Sequence, residues 1–128
     1  MYKASYKPVS QAIHAALDRD GVTIGNTAAV PRVEVHSFVE NPATDKGGAV
    51  RVLACVVESV SNLSMEDASG MNATNLEKLD GVQVSGDTPE FRIIGWITTQ
   101  LQEQPVTTDT QMIEYHVLQS IDFYVQQL

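Results

Sequence analysis

From Met112 to Val125 the chain alternates apolar and polar residues over fourteen positions. Ile113, Tyr115, Val117, Ile121, Phe123 and Val125 occupy one side, and Glu114, His116, Ser120, Asp122 and the nearby Gln126 the other. On the polar side only Leu118 and Tyr124 interrupt the pattern. Strand side chains alternate between the two faces of a sheet, so this period predicts one long antiparallel strand with a core face and a solvent or assembly face. It exceeds the usual five or six residues. The rest of the chain has to supply a sheet for it and something to bury its apolar side.

Upstream segments do so. Val9, Ala12, Ile13, Ala16 and Leu17 recur at helical spacing, with Pro8 in the first turn and Asp20-Gly21 as the stop, predicting a helix to about Asp18. Val22 to Val30 reads as loop with a short extended piece. Arg32 to Val39 predicts a half-buried strand with Val33, Val35 and Val39 on one face and Arg32, Glu34, His36 and Phe38 on the other. Glu40 to Gly48 has the Pro, Gly and polar content of an exposed hairpin loop.

The run from about Ala49 to Leu63 is apolar on both faces: Val50, Val52, Ala54 and Val56 against Leu53, Cys55 and Val57. It is expected to be a central strand, covered on one side by a helix. Ser64-Met65-Glu66-Asp67 starts a second helix, with Ser64 as N-cap and two acids in the first turn, ending at Asp80-Gly81. Phe91 to Leu101 is the next strand, with a bulge expected at Gly95. The order α, β, β, α, β, β predicts a single α+β domain over residues 1–128: an antiparallel sheet of four to five strands with two helices on one face.

The charge balance narrows the function. The chain has 128 residues and a net charge of −8, and residues 93–128 contain four acids and no Lys or Arg. Proteins that grip nucleic acid do so by setting Lys and Arg against phosphates, so that class is excluded, as is a polybasic membrane-surface segment. No apolar run approaches the length of a membrane span, and the start of the chain has no signal-peptide core. The lone Cys55 cannot form an internal disulfide. A soluble, cytosol-made chain is expected.

Chemistry-bearing motifs are sparse. His14, His36 and His116 have no partner at metal-ligand spacing, and Cys55 lies among valines, the setting of an inert thiol. The stretch Gly21 to Thr27 lacks the Lys of a phosphate loop, and there is no G-x-S-x-G. Glu114 and Asp122 share the polar face of the last strand, but eight residues of strand separate them by roughly 26 Å, too far for joint acid–base work. No catalytic, cofactor or metal site is expected.

Arg51 to Val57 running into Ser64 to Ala68, and Tyr115 to Val125 at the end, resemble the small tail-terminator (tail-completion, neck) proteins of long-tailed bacteriophages. In that family a helix precedes an antiparallel sheet, a second helix follows a long central strand, and the chain ends in a long strand. The Gln-rich stretch Thr98–Gln111 lies outside the resemblance. The resemblance implies a homo-oligomeric ring, usually a hexamer, that caps the tail tube, joins it to head–tail connector proteins and lets DNA pass through without specific binding. It implies a place in the virion, in the tail or neck, after assembly in the host cytoplasm, with no membrane partner.

On that reading Glu114, His116 and Asp122 mark a lumen or subunit-contact surface. Asp45, Lys46, Asp87, Glu103 and Asp109 fall in loops (Glu40–Gly48, Val82–Glu90, Gln102–Thr110) that would order on docking. A rival from another class is a small-ligand-binding or enzymatic α+β domain with a pocket around Trp96, Tyr115 and His36. A component of a host-encoded, phage-tail-like apparatus is a third possibility.

Overall fold

A computed structural model of the chain describes residues 5–25, 29–42, 50–86 and 88–128. In chain order the elements are α1 (Tyr6–Leu17), β1 (Thr23–Ile24), β2 (Arg32–Pro42), β3 (Val50–Ser61), α2 (Met65–Leu79), β4 (Phe91–Thr107) and β5 (Ile113–Gln127). The strands form one sheet in the order β1-β2-β3-β5-β4. All four long strands pair antiparallel. The two-residue β1 runs parallel to β2, so the sheet is mixed at that edge. The architecture is α+β, as expected.

Both helices cover the same face. Val9, Ile13 and Leu17 of α1 and Met71 and Leu79 of α2 pack with Leu53, Cys55 and Val57 of β3 and Ile121, Phe123 and Val125 of β5. The alternation that predicted β5 therefore sorts its side chains as read, except that Ile113 lies beyond the helical cover and is exposed. α2 begins where its cap predicts: the Ser64 hydroxyl accepts from the Asp67 N–H at 3.0 Å. It ends before Gly81, whose φ of +71° suits a residue without Cβ. α1 begins at Tyr6, earlier than its apolar stripe indicates, because Lys7 and Pro8 can occupy a first turn whose N–H groups have no intrahelical partner.

Two strand expectations are corrected. β2 does not keep Val33, Val35 and Val39 on one face. Its register shifts between His36 and Val39, and Ser37 adopts φ +59°, so one extra residue is inserted opposite β3. A bulge of one residue exchanges the faces beyond it. Val39 is thereby exposed on the open side, while Phe38 turns toward the core and stacks edge-on against Tyr6. β2 also continues to Pro42, into the segment read as loop.

β4 is likewise longer than its apolar alternation. It runs to Thr107, and Glu103 is a strand residue opposite Val117 rather than part of a loop. Residues Ile97 to Pro105 are all exposed, because this edge strand lies beyond the apolar core, and at Glu103 it meets α2 through a polar contact, the Ser69 hydroxyl donating at 3.5 Å. Its backbone ladder with β5 holds it extended. The register shift at Ile93/Gly95 matches the expected bulge, and a second lies at Thr98/Gln100. The connection to β5 is a short turn, closed by the Thr108 N–H donating to the Met112 carbonyl at 2.8 Å, with Asp109 exposed at its tip. Asp45, Lys46 and Asp87 lie outside the described residues.

Candidate functional site

The central strand β3 carries one charged residue near each end, on opposite faces of the sheet. Arg51 points to the helix side and Glu58 to the open side, as their odd and even positions require. Each reaches both neighbouring strands.

Glu58 organises the polar end of the open face. It is placed opposite Glu34 of β2 and Leu118 of β5. Its Oε1 accepts from Nε2 of His36 at 2.8 Å, and Oε2 forms a short bond with Nδ1 of His116. The other nitrogen of His36 meets the Ser37 hydroxyl at 2.8 Å, and His116 Nε2 lies 3.2 Å from Oε1 of Glu114. Arg32 stands 3.9 Å from the second oxygen of Glu114. Burial by itself raises the Glu58 pKa, but the hydrogen bonds and charges of His116 and His36 outweigh it and hold the carboxyl below its usual range. His116 stands between two carboxylates, with one ring nitrogen directed at each.

The structure thus joins two of the three residues singled out for the polar face, Glu114 and His116. Asp122 stays apart, six residues along β5, opposite Ala54 and Ile97. Two members of the network, Arg32 and Glu58, were not singled out, and His36 was named only for a ligand pocket with Trp96 and Tyr115. Their alternation was visible in the sequence, but bringing them together requires β3 to lie between β2 and β5, and that strand order is not encoded in any one segment. Among the described residues no group of three or more His, Cys, Asp or Glu side chains is arranged to hold a metal ion.

Arg51 organises the other end, on the covered face. It is 1 % exposed. Nη1 donates to Glu40 at 2.9 Å and Nη2 to Gln127 at 2.7 Å, while the guanidinium lies 5.5 Å from the centre of the Phe91 ring. Glu40 also accepts from the Ser5 N–H at 3.1 Å, which fixes the start of α1. Glu40 reaches this side because the Ser37 bulge has exchanged the faces of β2.

Trp96, Tyr115 and His36 do not converge. Trp96 lies on the helix side, donating from Nε1 to the Leu79 carbonyl, in a shallow cleft with Gln83 and Ile93. His36 borders a different cleft with Tyr6 and His14, and Tyr115 lines neither. Cys55 is buried, and its thiol is pushed up to about 12 by burial and by the charge of Asp122, which leaves it without nucleophilic character. No helix among the described residues is long and apolar enough to cross a membrane.

These features define an α+β domain with a two-helix layer on a five-stranded sheet, the other sheet face carrying no cover among the described residues, and with Arg51 and Glu58 tied into strand-to-strand networks. No protein-family model matches the chain, and no curated protein does. Among solved structures, the same fold occurs in a chain from the virion of a native gene transfer agent particle. The two superpose with a TM-score of 0.62 at 16% identity, over 94% of this chain and 99% of that one.

Proposed function

We propose that this chain is a structural protein of a phage-like virion, acting as a tail terminator: a ring that caps the tail tube and joins it to the head. The observation that carries the reading is the nearly end-to-end fold likeness to a chain of a gene transfer agent virion. The resemblance of the sequence to tail-terminator proteins supplies the finer role.

The charge distribution supports the same role. Past Arg92, the second residue of β4, the chain has no Lys or Arg, so the remainder of the β4–β5 pair offers phosphates no Lys or Arg to bind. A conduit for DNA needs such a surface, because tight binding would arrest transit. The partners on this reading are further copies of the chain, the tail tube protein and the head–tail connector proteins. The protein would reside in the virion, at the tail or neck, without catalysis or a cofactor.

Light scattering and negative-stain electron microscopy of the purified chain, alone and with tube protein, test the proposal. Closed rings, six-membered by the resemblance, are expected, and they should sit at tube ends. A chain that stays monomeric in both preparations would overturn the assignment.

A further inference from the structure

The uncovered face of the sheet has a composition that solvent does not explain. An antiparallel sheet with one wet face ordinarily places polar residues there. β3 instead places Val50, Val52, Ala54 and Val56 on that side, flanked by Val39 of β2 and by Leu118 and Tyr124 of β5. The other side of β3 is already occupied by the helices. A strand apolar on both faces is the signature of a strand covered on both faces.

Area and charge indicate what covers it. Four long strands of 11 to 17 residues, spaced about 4.8 Å apart and lying side by side over about ten residues, present a face of about 20 by 35 Å, near the roughly 800 Å² per partner of a standard interface. The face also bears Glu34 and Asp122, beside Glu58 and Glu114, which His36, His116 and Arg32 already engage, and Arg92, which bonds Gln126. Two copies stacked sheet to sheet would set these acids against one another. Of the two helices and four long strands, only α1 has more bases than acids, with Lys7 and no Asp or Glu. Its outward side shows Tyr6, Lys7, Gln11 and Ala15, all exposed, on the opposite side of the molecule from the open face. The small and uncharged residues among them permit close approach to a sheet.

We infer that the open face of the sheet receives α1 of a second copy of this chain, so that copies join head to tail, helix layer against bare sheet. The inference rests on the ring reading above and specifies its subunit contact: a heterologous contact of this kind closes into a ring when the rotation per subunit closes. It makes the Val52–Leu118 surface a subunit contact rather than a lumen wall.

Cross-linking tests this. Gln11→Cys on α1 and Ser120→Cys at the middle of the open face are mild surface changes, and Cys55, 2 % exposed, adds no reactive thiol. Circular dichroism first checks that each variant has wild-type secondary structure. With a short bis-maleimide, the double variant should give a ladder of covalent oligomers, at least tenfold more than either single variant. Val52→Lys should abolish that ladder. If the chain self-associates but the double variant gives no ladder, the contact is refuted while the ring reading stands. A covalent dimer from Ser120→Cys alone would show sheets stacked face to face and overturn the head-to-tail arrangement. A chain that never self-associates overturns both.

Discussion

Replacing Arg51 by methionine removes a charge while keeping a long side chain in place. The variant loses the 2.9 Å ion pair with Glu40, the 2.7 Å bond to Gln127 and the guanidinium beside Phe91. Hydrogen bonds to charged groups contribute about 1.5–3 kcal/mol each. Removing one partner of a buried pair, which strands the other charge, costs about 3–5 kcal/mol. Methionine recovers part of the packing, so a loss of about 3–4 kcal/mol is expected. Unfolding entropy of about 2.1 cal/mol/K per residue makes each kcal/mol worth about 4 °C for a chain of this length, so the melting temperature should fall by about 11–15 °C. Trp96, the only tryptophan, reports the transition, because its Nε1 binds the Leu79 carbonyl and its ring lies against Phe123. The double variant Arg51→Met/Glu40→Met should recover about half of the loss, short of all of it because the Ser5 N–H loses its acceptor. A single variant melting within about 4 °C of wild type, or a double no better than the single, would refute the account of a buried pair that holds the sheet end.

Glu58→Gln tests the network at the opposite end. A carboxyl whose folded pKa is depressed contributes stability above its unfolded value, near 4.3, and loses that contribution as pH falls through the folded value. The melting temperatures of wild type and Glu58→Gln should therefore differ at about pH 5 and converge as pH falls through the lowered Glu58 value; a gap unchanged down to about pH 2.5 would contradict the assignment. Ser64→Ala removes the cap that accepts from Asp67, and should cost about 1 kcal/mol, or about 4 °C, with Ser64→Asp restoring it; equal melting of Ser64→Ala and wild type would show that the cap adds nothing.

What could be read from the letters was whatever repeats locally. The alternation from Ile113 to Val125 and the Ser64 cap with its two acids specify β5 and α2 because each signal lies within one segment and burial follows from it. The bulge at Ser37 was not legible, since a serine carries no local mark of a positive φ, and the apolar spacing of Val35 and Val39 suggested an unbroken strand. β4 beyond Leu101 was hidden for a different reason: Gln102, Glu103 and Gln104 are held extended by the backbone of β5 and by nothing in their own side chains. The Glu58 network and the Arg51 pair depend on strand pairing, which assembles residues 11 to 76 positions apart. The both-sided apolarity of β3 was legible, although the cover it calls for is present on only one side of the chain.

The placement of Arg51 and Glu58 also fixes alignment. Val50, Val52, Ala54 and Val56 are nearly interchangeable, as are Leu53, Cys55 and Val57, so sliding β3 by two residues against its neighbours would keep every apolar side chain on its proper face. Shape and hydrophobicity alone barely distinguish the slid sheet from the native one. Charge does distinguish them. The slide would carry Arg51 about 7 Å from Glu40 and Gln127, stranding a guanidinium in the core, and would take Glu58 from both histidines at once. With one such lock on each face and at each end, the strand that the chain makes most nearly featureless has a single permitted alignment, and the Ser37 insertion is the piece that lets the first lock engage.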